Sequence, residues 1–571
     1  MFPKKTEDLV GIVLFIAPFF MGLYFYHQNY LVTIILLVLL LIIIAKNKQL
    51  ILCNSMNHLI IFFVIASYLL SLSYALDKGM AFLGALKMLS IYIFYILLMQ
   101  IDLGRYKNYY LRCIEYSGIV LALAGIIIVI LKSIGVTGPL YDIIISKENR
   151  MQSFIQYANV FALWILICLI LIAFEKNINK KQQVGSIILG ASLVMTFSRS
   201  MYVLGFVFVL ISYYVNKKNR KIILYTCLLG AFLGIFLIWA SGLNRSFTRV
   251  RNASFQVSEW QTRLFYYKDG LQIIRDNIFG LGHLGYFYIQ RTYQSANYYV
   301  KYIHNGFLQI ALDIGIFPMF LFMFLGAKNF FDRKVSVRDK LILLLVFGHA
   351  LIDFDFQFTI TLLLIVLILP YDTIKISLNQ FAFSVFCIII SISIFTYSYM
   401  GAVSYGAYIN KHELVADMYP FYTESKKQQM RELKEDRLEH SYKISQNIIK
   451  DNIYVLEAYL TQAEYYKYTK EYDLGVDAIK KAMYLDPLNM TYIEEYTSFL
   501  VLAIEEQMIL ANKTKMKTYL IELINVIDYI EDIKFRIDKK AYNIKHAPTI
   551  YQTEIIKERV SWAIEQYNEM R

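Results

Sequence analysis

Four short segments carry polar residues where a strongly apolar chain would otherwise have almost none. The first is Thr196-Phe197-Ser198-Arg199-Ser200. An arginine between two apolar runs is costly unless it pairs, faces a polar cavity or snorkels to lipid phosphate. The second is Trp260-Gln261-Thr262-Arg263-Leu264-Phe265-Tyr266-Tyr267, closed downstream by Phe279-Gly280-Leu281-Gly282-His283. The third, Tyr302-Ile303-His304-Asn305-Gly306-Phe307-Leu308-Gln309, brings a histidine that can accept a proton near neutral pH or serve the structure alone. The fourth, Gly348-His349-Ala350-Leu351-Ile352-Asp353-Phe354-Asp355-Phe356-Gln357-Phe358, puts His349 and Asp353 four residues apart. That spacing shares a helix face and predicts a His349–Asp353 pair, with Asp355 pointing elsewhere. Two carboxylates and one histidine are too few ligands to predict a metal site, so a polar lining or an arginine partner is expected instead.

Around Arg263 the apolar residues Leu264, Tyr267, Leu271, Ile274 and Ile278 recur at helical spacing. They predict an amphipathic helix lying along a membrane surface. Arg263 falls on its first turn, where the helix dipole adds to the attraction for an anion, although an exposed helix charge is the plainer alternative. The segment 242–302 that contains it carries Arg245, Arg249, Arg251, Arg263, Lys268, Arg275, Arg291 and Lys301 against Glu259, Asp269 and Asp276. Such an excess suits an anionic partner, with lipid phosphates as the alternative. Phe287, Tyr288, Tyr293, Tyr298, Tyr299 and Tyr302 can stack on sugar rings or anchor the loop at headgroup level.

These residues need a scaffold, and composition says which kind. Of 571 residues 57% are hydrophobic and 18% charged, with a mean hydropathy of +0.46, more apolar surface than one soluble core can hide. The expected fold is all-α: a polytopic bundle of about 12–13 spanning helices. The 13 candidate spans are 9–27, 30–45, 57–76, 80–100, 113–132, 154–174, 184–198, 200–216, 221–241, 303–326, 339–353, 356–371 and 379–403. Basic clusters such as Lys46 and Lys48, Arg105 to Arg112, Lys176 to Lys181 and Lys217 to Lys221 fall on alternate sides, which marks that side as cytoplasmic. A cytoplasmic N-terminus then leaves outside the segments 132–153 and 242–302 and everything after about Tyr405. The net charge of +13 follows from this topology and gives no reason to expect nucleic acid. Five cysteines without CxxC spacing predict neither disulfide framework nor structural zinc.

The reading divides the chain at 1–405 and 406–571. Beyond Tyr405 the composition turns to mixed charge with amphipathic helical periodicity, an extracytoplasmic helical domain. There Tyr459, Ala463, Tyr466, Gly475, Ile479, Ala482 and Pro487 fit the tetratricopeptide register, with a generic helical hairpin as the alternative. Such a unit could recruit a protein partner.

In order, the chain shows many spans, an outer Ser-Arg turn, a long external loop with Arg263 and a Gly-x-Gly exit, then His304-Asn305-Gly306-Phe307 opening the next span. This resembles the O-antigen ligase and polymerase superfamily of bacterial envelope glycosyltransferases, over roughly 154–370. The resemblance implies metal-independent, inverting transfer of a glycan from a polyprenyl diphosphate carrier to an acceptor hydroxyl at the outer face, with no cofactor. By the same analogy Arg199 and Arg263 would hold the diphosphate and His304 would orient or deprotonate the acceptor. Arg245, Arg249, Arg251, Tyr267, Arg275, Asn305 and Asp353 make up the expected substrate-binding set. The alternatives are a lipid-linked saccharide transporter or flippase, and a membrane assembly scaffold acting through its C-terminal domain.

Overall fold

The computed structural model describes residues 5–53, 55–136, 138–243, 259–544 and 547–570. It is an all-α, polytopic bundle carrying a large helical C-terminal unit. Among the described residues six helices are long and apolar enough to cross a membrane: Tyr26–Asn47, Met56–Ser73, Lys78–Met99, Leu103–Ser133, Arg220–Ala240 and Gln380–Tyr408. Shorter apolar helices, Ala158–Ala173, Arg199–Val215, Ile316–Phe331 and Thr359–Ile368, complete the bundle. Thr359–Ile368 is buried along its whole length and Ala158–Ala173 everywhere but at Asn159, as expected of helices apolar nearly all round. Gln380–Tyr408 instead exposes Phe381, Ile388, Ile392 and Phe395, a surface that suits a membrane-crossing helix.

Where no water drives helices together, close backbone approach does. Lys180–Met195 and Arg220–Ala240 cross on glycines. A Cβ on Gly230 would lie 2.9 Å from the Ile187 carbonyl, and one on Gly234 would lie 2.7 Å from the Ala191 carbonyl.

Two expected spans are broken. In place of one helix over 9–27, Thr6–Ile16 gives way to tight turns at Ala17–Phe19 and Met21–Leu23, and a new helix starts at Tyr26. Pro18 begins the interruption, and Met21, Gly22 and Leu23 all take left-handed φ. Irregular backbone at this depth survives only when its polar groups find partners. The buried Lys87 supplies one, donating from Nζ to the carbonyls of Tyr24 (2.8 Å) and Gln357 (2.7 Å). The expected span 303–326 is likewise split, at Gly315, into Gly306–Ile314 and Ile316–Phe331. Its freed backbone pairs with the glycine turn upstream: Leu281 N donates to Leu312 O (2.8 Å), Gly282 N to Asp313 O (2.9 Å) and Ile316 N to Ile278 O (3.1 Å).

The ends of the bundle differ. At one, Gln49–Cys53 pairs antiparallel with Thr373–Ser377, and Gln100 donates to Ile51 O (2.7 Å). At the other end of Lys78–Met99, Gly79 lies against the backbone of Phe421, where a Cβ would collide with the Phe421 carbonyl.

The C-terminal unit is a run of antiparallel helices from His412–Met418 to Glu554–Glu569, including the hairpin Leu456–Thr469 and Tyr472–Leu485. The boundary placed at 405 falls within the last turn of Gln380–Tyr408. The unit does not hang free of the bundle. Phe265, Ala296 and Tyr298 of the 259–302 segment belong to its apolar core, Arg291 pairs with Asp486 (3.2 Å), and Lys268 pairs with Asp538 (2.7 Å).

Gly79→Val therefore wedges the unit away from the bundle. The expected cost is ~1–3 kcal/mol, as for other overpacked contacts, read as a lower Tm in detergent and faster proteolysis near Phe421. Unchanged proteolysis would show that the contact is not needed for docking.

Candidate functional site

The loop helix Glu259–Asp276 sets Arg263. The expected apolar stripe divides: Leu264, Leu271 and Ile278 are exposed together with Trp260, whereas Ile273 and Ile274 are buried. One side of the helix is thus left for the lipid interface, and the other clamps it to the protein. Its position is fixed by the buried Asp269, which accepts from Ser295 N (2.9 Å), Ser295 Oγ (2.7 Å) and the Tyr298 hydroxyl (2.8 Å). Burial nonetheless pushes the Asp269 carboxyl up. Gly280 and Gly282, both left-handed at φ +87° and +78°, then turn the chain back as the Gly-x-Gly exit requires.

His304 stands just before helix Gly306–Ile314, at φ +54°, a backbone region that costs a non-glycine residue and tends to mark functional positions. Three contacts hold it there. The Tyr267 hydroxyl donates to His304 O (2.8 Å). Asn305 caps the helix, accepting from Phe307 N and Leu308 N (3.0 Å each), and donates to Leu351 O (2.8 Å). The ring of Phe354 meets the imidazole edge-on at 4.9 Å between centroids.

These elements converge on Asp353, in the turn after Val337–Ala350. Its carboxylate is fully buried. It accepts from the Tyr157 hydroxyl (2.9 and 3.1 Å), Asn159 Nδ2 (2.7 Å) and Phe354 N (2.9 Å). His304 Nδ1 lies at 3.3 Å and Arg263 Nη2 at 3.9 Å, while Arg263 Nη1 donates to Ile352 O. Burial raises the carboxyl, but His304, Arg263 and His349 together outweigh it and hold Asp353 below the usual carboxylate range. The network continues through Asn159, whose Oδ1 accepts from Arg150 Nη2 (2.6 Å) and Ser198 Oγ (3.0 Å). Arg150 Nε donates to Thr196 O (2.8 Å).

The expected pairing of His349 with Asp353 does not form. Asp353 N still donates to His349 O (3.1 Å), but the Asp353 carboxylate is taken up by Tyr157, Asn159 and His304, and His349 Nδ1 lies 2.7 Å from Asp355 instead. Of the candidate residues, His304, Arg263, Asp353, Tyr267 and Asn305 are brought together, the last two as supports whose polar groups are already engaged. Arg199 begins helix Arg199–Val215 with an exposed side chain that has no ion pair among the described residues, next to Ser198 of the network. Arg275 is exposed and contacts Asp276 (3.1 Å), away from the cluster. Arg245, Arg249 and Arg251 lie outside the described residues. The loop aromatics are largely spent on packing: Tyr298 and Tyr302 are buried, Tyr288 donates to Glu424 (2.9 Å), and Tyr299 lies under Arg291 (4.0 Å).

Three residues that sequence reasoning passed over, Arg150, Tyr157 and Asn159, complete the cluster. A signal existed: Arg150, like Arg199, stands shortly before an apolar run.

Residues 184–323, which hold both Arg263 and His304, match the family model described as O-Antigen ligase. This stretch, about a quarter of the chain, is similar to the O-antigen ligase family. No curated protein and no solved structure matches it. Together with the apolar helices, the match supports at a general level a multi-pass membrane protein of the kind that ligates or polymerises glycans. The arrangement is compatible with such chemistry: the Arg263 guanidinium and the His304 imidazole share a buried carboxylate, and Arg150 joins the same network through Asn159, cationic groups next to a base.

Asp353→Ala should strand the Tyr157, Asn159, Arg263 and His304 donors at once. Losing one partner of a buried charged network costs ~3–5 kcal/mol, seen as a large fall in Tm, with Asp353→Asn milder because one acceptor oxygen remains. Equal stability of Asp353→Ala and wild type would remove the carboxylate from its central place.

Proposed function

We propose that the protein transfers or polymerises a glycan from a polyprenyl diphosphate carrier onto an acceptor hydroxyl at the outer membrane face. The observation that carries this reading is the meeting of Arg263 and His304, 89 and 49 residues apart in sequence from Ile352 and Asp353, on one buried carboxylate. With His304 Nδ1 turned to Asp353, Nε2 remains to take the acceptor proton. The acceptor oxygen then bonds to the anomeric carbon as the carbon–oxygen bond to phosphate breaks, in one inverting displacement. The bond's electron pair stays on the phosphate, and Arg263 and Arg150 stabilise the charge that develops there. Arg199, exposed on the neighbouring turn, and the Arg245, Arg249 and Arg251 set are further candidates for the diphosphate.

Two guanidinium groups can do the work of a divalent cation, so the reaction proceeds without metal or cofactor. In this reading the N-terminus is cytoplasmic and the C-terminal unit lies on the outer face with the site. Polymerisation is favoured over ligation, because a lipid A core acceptor requires an outer membrane and the Lys, Ile, Asn and Tyr usage fits a low-GC Gram-positive source. The tetratricopeptide-like hairpin is proposed to recruit a protein partner.

Arg263→Ala, Arg150→Ala and His304→Ala should insert normally and lower transfer by roughly 10²–10³, the range for losing a transition-state donor or base. Lipid-linked glycan should accumulate, and its mass distinguishes single repeat units from polymer. Normal polymer length in Arg263→Ala and His304→Ala would defeat the assignment. Transfer by purified protein should also persist in excess EDTA, and a loss restored by Mg²⁺ would refute the metal-free mechanism.

A further inference from the structure

The interruption between the first two membrane helices has a counterpart beside the catalytic cluster. A cleft of about 240 Å³ lies between them, lined by Tyr24, Phe25, Gln156, Tyr157, Phe354 and Phe358 among others. Two of its walls are also neighbours of the base. Tyr157 donates to Asp353, and the Phe354 ring abuts the His304 imidazole. The rings brace one another, Tyr157 against Phe354 at 4.9 Å and Tyr24 against Phe358 at 5.1 Å between centroids.

Both turns that build the cleft hold non-glycine residues in the left-handed region, Met21 at φ +47° and Gln156 at φ +57°. Such conformations persist where the surrounding structure overdetermines them, typically at ligand clamps. The Gln156 side-chain amide, partly buried in this aromatic wall, has no hydrogen-bond partner among the described residues.

We infer that this cleft seats the acceptor sugar, its ring against the aromatic faces, its hydroxyls on the Gln156 amide and its attacking hydroxyl turned toward His304. The inference rests on the glycan-transfer reading and adds to it which substrate lies on which side of the cluster. Flat aromatic faces match the C–H faces of a pyranose, and an amide offers both a donor and an acceptor to hydroxyls at the ring edge. A prenyl chain would use the rings but leave the amide unpaired. The volume is just below the ~300–1,000 Å³ of drug-sized pockets, the scale of one sugar ring. Neither Arg263 nor Arg150 lines the cleft, which leaves the diphosphate a place of its own.

The test measures binding of two probes by purified full-length protein in detergent. One is the lipid-free oligosaccharide released by mild acid from the strain's own lipid-linked glycan, and the other is farnesyl diphosphate. Gln156→Ala and Phe358→Leu should weaken the oligosaccharide at least about tenfold and change farnesyl diphosphate by no more than about twofold, with Arg263→Ala giving the reverse. Unchanged oligosaccharide affinity in Gln156→Ala, or no binding by the wild type, overturns the inference. Loss of farnesyl diphosphate affinity in Gln156→Ala overturns it too, making the cleft a lipid site. Gln156→Ala with wild-type Tm keeps the result interpretable if Phe358→Leu folds poorly. Failure of the broader reading shows separately, as full transfer by Arg263→Ala and His304→Ala.

Discussion

A single carboxylate, that of Asp353, sets the geometry on which everything else depends. Burying it without water is expensive, and the cost is offset only if its oxygens are fully engaged by donors and cations. Tyr157, Asn159, His304, Arg263 and the Phe354 amide together meet that demand. Because they come from the start of helix Ala158–Ala173, the loop helix Glu259–Asp276, the residues before helix Gly306–Ile314 and the turn after Val337–Ala350, satisfying one buried charge forces four distant stretches of chain into one place. The same charge engages the His304 imidazole through Nδ1.

Around this point the bundle is irregular, and each irregularity is compensated locally. Helices break near Pro18, at Gly315 and after Ala350, and each break lies close to the cluster or to the loop that feeds it. The freed backbone is taken up by Lys87 on one side and by the glycine turn 278–282 on the other. In lipid an uncompensated break would be excluded. Non-helical backbone at these positions therefore goes with a protein-lined, polar interior, which is what a site for a charged lipid headgroup needs.

The C-terminal unit enters the same logic from behind. It shares its apolar core with Phe265, Ala296 and Tyr298, and Ser295, which binds the buried Asp269, accepts from Asp538 N (3.0 Å). The helix that carries Arg263 thus has lipid-facing residues on one side and the C-terminal unit on the other. Removing residues 410–571 would strip the loop of its support, so loss of activity on truncation does not by itself distinguish a scaffold from an enzyme. The aromatic residues of the loop, which by spacing alone suit sugars or headgroups equally, are committed to this join.

Composition and periodicity were enough to determine a polytopic all-α protein with a helical C-terminal unit, because hydrophobic period and length are local properties. They were also enough to single out Arg263 and His304, whose polar types stand out against apolar surroundings. The pairings lay beyond them. His349 takes Asp355, while the Asp353 carboxylate is claimed by donors from distant segments, Tyr157, Asn159 and His304, which the i,i+4 rule does not see. Arg150 and Asn159 join the cluster while Arg199 is exposed, although both arginines stand shortly before an apolar run in sequence. Which donors reach a buried charge is a long-range question of how broken helices cross, and only the tertiary structure decided it.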